Sequence, residues 1–278
     1  MPTARSLLSA LLIAAVLLGG CREGAQRPTL PQGTAPRFEP GACDAEIPAG
    51  ATVDCGTLVV AENRDELVSH EVRIAVAILR STSSTPDPSP ALFLPGGPGD
   101  AGTDRLVYLH GLATPVLATR DLIVVDYRGV GRTSPALVCT ERTGDEGEDI
   151  DRCRKRLERA PVDLHTYSSA VIARDLADLR RVVEVRSLQL IGSSYGTRVG
   201  MTVLRDFPEL VASATLDAAA PPEIDLFETA PETFDRAFAR MLDACTADTA
   251  CSDAFPALER DLDAVLERLA VDPAPISL

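Results

Sequence analysis

Ser187-Leu188-Gln189-Leu190-Ile191-Gly192-Ser193-Ser194-Tyr195-Gly196-Thr197-Arg198-Val199 is the stretch whose reading decides the fold. Leu188, Leu190 and Ile191 form the short apolar run of a buried parallel strand, and the five residues that follow read G-x-S-x-G before a helix-like segment begins. A strand, a tight turn with small residues on both sides of a serine, and then a helix form a nucleophile elbow. The glycines let the backbone pass close to its neighbours, and Ser194 is expected in a strained turn with its hydroxyl exposed.

Outward from the elbow, short apolar runs alternate with amphipathic ones. Upstream, residues 169–184 place Ile172, Leu176, Leu179 and Val183 at spacings of four, three and four, which predicts a helix packed on one face. Downstream, Val199, Val203 and Leu204 predict the packed face of the next helix, and residues 211–216 read as a strand with apolar residues suited to an interior position. Further upstream lie Ala91-Leu92-Phe93-Leu94 and Leu122-Ile123-Val124-Val125, apolar on both faces as in a parallel sheet covered by helices. The first runs into Pro95-Gly96-Gly97-Pro98-Gly99 and the second into Asp126-Tyr127-Arg128-Gly129-Val130-Gly131-Arg132. The segment between them, residues 104–119, supplies a crossover helix interrupted at Gly111 and Pro115. Residues 57–61 and 72–79 read as an antiparallel hairpin, with Val72, Ile74, Val76 and Ile78 alternating. Residues 139–160 read as a charged loop with a short helix. After a Pro-Pro exit, residues 232–270 are helical, with Phe234, Phe238, Met241 and Leu242 on one face and Leu258, Leu262, Val265 and Leu269 on a later one.

The 278 residues suffice for one large α/β domain, and a net charge of −14 argues against a nucleic-acid partner. No phosphate-cradling loop, dinucleotide fingerprint or cysteine knuckle is present, so the sequence calls for no cofactor and no metal. Residues 1–21 read as a targeting segment: Arg5 is the charged start, residues 7–18 are apolar but too short to span a bilayer, and Leu18-Gly19-Gly20-Cys21 closes it. That ending resembles a bacterial lipobox, with Cys21 lipidated and anchoring the chain to a membrane. The alternative is an ordinary secretory signal, and either reading makes the mature chain exported. Residues 22–42, rich in Pro and Gly, read as a tether. Of the seven cysteines, six remain after Cys21, and an even number in an oxidising compartment points to disulfides, with 15 possible connectivities. Their distribution as local pairs favours Cys43 with Cys55, Cys139 with Cys153, and Cys245 with Cys251.

The order of these pieces resembles the α/β-hydrolase superfamily, and more narrowly the exported tripeptidyl-aminopeptidase and prolyl-aminopeptidase-like serine hydrolases. The resemblance rests on residues 53–60 (V-D-C-G-T-L-V-V), the Gly96-Gly97-Pro98-Gly99 turn, the run from Asp126 to Arg132, the elbow, and Leu216-Asp217 before Pro221-Pro222. It implies an α/β-hydrolase core over residues 43–222, a mostly parallel sheet with an N-terminal antiparallel hairpin, and the start of a helical lid over 223–278. It also implies Ser194 as nucleophile and an oxyanion hole formed by the amide of Tyr195 with one from the Gly96-Gly97 turn. Asp126 and Arg128 are expected to be structural, holding the loop beside the site. The implied activity is a serine peptidase that releases short N-terminal units from small peptides. A carboxylesterase or lipase, or a non-catalytic surface lipoprotein on the same scaffold, are the competing functions.

One element of that chemistry is missing. A serine nucleophile needs a base to take its proton and an acid to orient the base, and in this superfamily both follow the serine. The three histidines, His70, His110 and His165, all precede Ser194. Asp217 has no histidine to orient, so a structural role is expected for it. The triad acid and base are therefore not identified within the chain, which reads as the N-terminal portion of a longer hydrolase without its terminal strands.

Overall fold

The computed structural model describes residues 35–66 and 68–275. Cys21, the targeting segment and most of the expected tether lie outside the described residues. The tether reading of residues 22–42 needs one correction: Arg37–Gly41 is a strand, β1, because Phe38 and its neighbours pair with residues Cys55 to Val59 of the next strand. The folded part thus starts before Cys43.

β1 is followed by β2 (Val53–Ala61), β3 (Glu71–Leu79), β4 (Ala91–Leu94), β5 (Leu122–Val125), β6 (Leu188–Ser193) and β7 (Val211–Asp217). They form a single sheet in the order β1-β2-β3-β5-β4-β6-β7. The first three run antiparallel to one another and β3 runs antiparallel to β5, whereas β5, β4, β6 and β7 are mutually parallel. The elbow strand therefore sits beside β4, with Leu94 opposite Gly192, and β7 lies on its other side, with Asp217 opposite Ser193. This register brings the ends of three parallel strands, and the loops that leave them, to one place.

Alternation along the strands supplies a core on each face. Ile123 and Val125 of β5 join Leu92, Leu94, Leu188 and Leu190 on one face, while Leu122 and Val124 face the other way with Leu79 and Ala91. The first face is covered by α4 (Ser169–Val182), through Ile172, Leu176 and Leu179, and by α5 (Tyr195–Asp206), through Val199 and Val203. The second is covered by α1 (Leu106–Leu112) and α2 (Thr114–Leu117), through Leu106, Leu109 and Leu117. The crossover is broken into these two helices between the positions of Gly111 and Pro115, as the sequence requires. α3 (Glu146–Arg159) is longer than the short helix expected there, and Asp145 caps it by accepting the Glu148 amide at 2.8 Å.

The packed face expected after the elbow holds only in part. Leu204 is 37% exposed, because the buried stripe of α5 passes through Val199 and Val203 and leaves Leu204 at its edge. β7, by contrast, stands as expected for a chain without the later strands: among the described residues it pairs only with β6, and Ala212 through Thr215 are exposed. The helices that follow are α6 (Leu226–Ala247), α7 (Thr249–Ala254) and α8 (Leu258–Val271). Phe238, Leu242, Leu262 and Leu269 are half-buried there, but Phe234, Met241 and Val265 of the expected faces are exposed.

Disulfides join Cys43 to Cys55, Cys139 to Cys153 and Cys245 to Cys251, the local pairing that the sequence favours. Three such bridges fit a protein exported to an oxidising compartment. Cys139, Glu141 and Cys153 come close together, but the two sulfurs are bonded to each other, so this grouping offers no thiolate ligands.

Candidate active site

β6 ends at Ser193, α5 begins at Tyr195, and Ser194 makes the whole reversal between them. Its backbone is held at φ 51°, ψ −119°, a left-handed conformation that side chains rarely adopt, and the residue is exposed. Such a conformation costs on the order of 1–3 kcal/mol and persists only where its surroundings over-determine it. Here they do. The Ser194 amide donates to the Asp217 carbonyl of β7 at 2.9 Å, and the Ser194 carbonyl accepts from both the amide (2.9 Å) and the hydroxyl (2.6 Å) of Thr197. The buried Thr197 hydroxyl in turn accepts the Ala220 amide at 2.8 Å, so the elbow is tied to the chain that leaves β7. Arg198 adds to this tie by donating to the carbonyls of Pro221, Pro222 and Ile224 at 2.9–3.2 Å.

The glycine turn after β4 lies against the serine. A methyl group placed on Gly96 would come 3.3 Å from Ser194 Cβ, and Gly97 holds a φ of +99° that only glycine adopts freely. Gly196 shows why the elbow's second glycine is required: a side chain there would overlap the Leu94 carbonyl oxygen. The structure thus brings Ser194, Tyr195, Gly96 and Gly97 together. The Tyr195 amide belongs to the first turn of α5, where helical N–H groups have no intrahelical acceptor. Its side chain points elsewhere, and its hydroxyl shares a 2.9 Å hydrogen bond with Ser169.

None of the three histidines joins this group by a hydrogen bond among the described residues. His70 is in the β2–β3 turn, His110 on α1 and His165 in a 3-10 turn (Leu164–Thr166). Asp217 touches the site through its main chain, by way of the Ser194 amide.

The run after β5 is anchored twice, and in both cases by partners far away in sequence. Asp126 is buried and accepts from the Thr103 amide (2.9 Å), the Thr103 hydroxyl (3.0 Å) and the Arg132 amide (2.8 Å). Burial holds its carboxyl above the ordinary carboxylate range, against the opposing pull of these hydrogen bonds. Arg128 has no exposed side-chain surface and donates to both oxygens of Asp175 at 2.7 Å, and also to the carbonyls of Glu62 and Thr166. Arg64 approaches the same carboxylate at 2.6 Å. The structural roles expected for Asp126 and Arg128 are these. Their partners Asp175, Arg64 and Thr103 carry no signal in the sequence; Thr197 and Tyr127 stand in stretches that do, but only the fold shows that they reach Ala220 and Pro95.

A mixed sheet with a strained serine between a central parallel strand and its helix, bordered by a glycine turn, defines a hydrolase-type α/β scaffold. The chain belongs to the α/β hydrolase fold family, whose family model matches residues 90–262. It is similar to the serine protease Hip1 of Mycobacterium tuberculosis, at 26% identity over 230 residues that cover 74% of this chain and 44% of that protein. It is also similar to a tripeptidyl aminopeptidase of Streptomyces lividans, at 25% identity over 206 residues covering 66% of this chain and 38% of the relative. The chain thus spans less than half the length of these relatives. Among solved structures, an α/β hydrolase from Novosphingobium aromaticivorans aligns with a TM-score of 0.37 and 21% identity, covering 60% of this chain and 44% of that one.

Proposed function

We propose that this chain carries the nucleophile of an exported serine hydrolase that cleaves small peptides and releases short N-terminal units through an acyl-enzyme. The observation that carries the reading is Ser194 itself, exposed at positive φ on a strand-to-helix turn and pinned there from both its amide and its carbonyl. In this reading the Ser194 hydroxyl oxygen attacks the scissile carbonyl carbon and loses its proton to a base. The oxygen of the carbonyl becomes an oxyanion, and collapse of the tetrahedral intermediate expels the amine as that proton is returned to it. The amide of Tyr195 and one from the Gly96-Gly97 turn face the developing charge; a preset donor of this kind is worth roughly 10² to 10³ in rate. The base and its orienting acid come from outside residues 35–275. The peptidase assignment is supported by the names of the relatives, a serine protease and a tripeptidyl aminopeptidase. The helices between Leu226 and Val271 act as part of a lid that limits access to small or unfolded substrates, and Cys21 carries a lipid anchor.

The test is a fluorophosphonate probe followed by mass analysis. A Ser194 adduct is expected, formed slowly in this chain and absent from Ser194→Ala; no adduct on Ser194 after prolonged exposure sinks the nucleophile assignment. Rapid stoichiometric labelling would show that a base is already present in the chain. Comparing a tripeptidyl amide with a short acyl ester separates peptidase from esterase, and Cys21→Ser should move the protein out of the membrane fraction.

A further inference from the structure

Between the two anchored residues of the Asp126-Tyr127-Arg128 run, Tyr127 is turned toward the candidate site. It is 2% exposed, its hydroxyl donates to the Pro95 carbonyl at 3.3 Å, and its ring meets the Tyr195 ring edge-on with centroids 6.0 Å apart. Pro95 is the residue before Gly96, and the carbonyl of one residue shares a rigid peptide plane with the amide of the next. In a trans peptide these two groups point in opposite directions, so whatever holds the Pro95 oxygen also aims the Gly96 N–H. Gly96 borders Ser194, and Tyr195 supplies the other amide of the proposed oxyanion hole.

We infer that Tyr127 is a positioning residue for the oxyanion hole, fixing the Pro95–Gly96 peptide through its hydroxyl and the start of α5 through its ring. The inference rests on the serine-hydrolase reading above. Three observations support it. Asp126 and Arg128 are each locked by buried side-chain hydrogen bonds, so Tyr127 is presented from a support that cannot drift. Burial, with a smaller contribution from Tyr195, pushes the phenol well above its ordinary value, which favours the protonated, donating hydroxyl. Finally, a phenylalanine would fill the same apolar space, so the hydroxyl serves the one carbonyl it reaches. Tyr127 touches neither substrate nor Ser194 in this assignment; it acts through the turn.

The experiment compares the full chain with Tyr127→Phe, and with Tyr167→Phe as a control. Tyr167 also carries a bonded phenol, donating to Glu62 at 2.8 Å, but away from Pro95. Two quantities are read: the Gly96 amide resonance in nuclear magnetic resonance spectra, against those of residues 188–193, and the rate of Ser194 modification by the fluorophosphonate. The Gly96 amide is conjugated with the Pro95 carbonyl, so loss of the hydrogen bond is expected to move its resonance while those of 188–193 stay, and to slow labelling by about tenfold, for Tyr127→Phe alone. An unmoved Gly96 resonance overturns the inference. So does a moved resonance with labelling within twofold of the parent, or an equal loss of labelling in Tyr167→Phe. If the parent chain gives no Ser194 adduct at all, the serine-hydrolase reading fails, and the Gly96 resonance alone then decides whether Tyr127 holds the turn.

Discussion

The four side chains of β5, Leu122 to Val125, are at most 2% exposed, whereas Phe234 and Met241 of α6 stand 67% and 52% open. All of these positions carry large apolar side chains, so residue type alone does not separate them. Position does. β5 lies between β3 and β4 with helices on both faces, while the helices after β7 pack mainly on one another. The lesson is that the elbow belongs to the region whose geometry is over-determined. Strain at Ser194 is tolerable because the Asp217 carbonyl of β7 holds its amide and the buried Thr197 of α5 holds its carbonyl. The helices carry no comparable constraint, so substitutions there should be felt far less.

That contrast can be broken by measurement. The largest effect is expected at Asp175, which holds the buried Arg128 and also Arg64. Asp175→Ala leaves charge uncompensated in the interior and should cost about 3–5 kcal/mol in equilibrium unfolding. A cost below about 1 kcal/mol would mean that the run after β5 is not anchored as described. Next is Gly196→Ala, which forces a methyl group into the Leu94 carbonyl; a loss of about 1–3 kcal/mol is expected from the overpacking. Phe234→Ser should move stability by no more than about 0.5 kcal/mol, as exposed positions do. A large destabilisation there would show that the helical segment is coupled to the core.

The smallest effect concerns Glu141, beside the Cys139–Cys153 bridge. Its hydrogen bonds to Arg156 hold the carboxyl at about 2, below the ordinary 4.5. A carboxylate whose value is depressed by folding adds stability above its unfolded value and loses it as pH falls through the folded one. Unfolding curves of the parent and Arg156→Gln should therefore differ most above pH 4.5 and converge toward pH 2. Curves that stay parallel over that range would remove the pair from the stability of this loop.

Much of the fold was legible because period and punctuation are local. β4 and β5 have the bounds expected from their apolar runs, the interrupted crossover breaks near Gly111 and Pro115, and α4 buries Ile172, Leu176 and Leu179. Less was legible where the outcome depends on a neighbour. Val211 to Leu216 has a strand's composition, but whether it is an interior or an edge strand is set by what lies beside it. β1 was read as tether because Arg37–Gly41 contains Pro and Gly, and only its pairing with β2 makes it a strand.

For the candidate site the division is sharper. The sequence by itself determined that a serine stands between small residues at the end of an apolar strand, that a glycine turn ends another, and that no histidine follows Ser194. These are statements about order along the chain. Tertiary structure alone decided that the turn after β4 touches Ser194, since β4 and β6 lie nearly a hundred residues apart and meet only through sheet pairing. It also decided that Asp175 neutralises Arg128 and that the Tyr127 hydroxyl reaches Pro95. A hydrogen bond requires both partners at one place and angle, and residue order specifies that only after the sheet has formed.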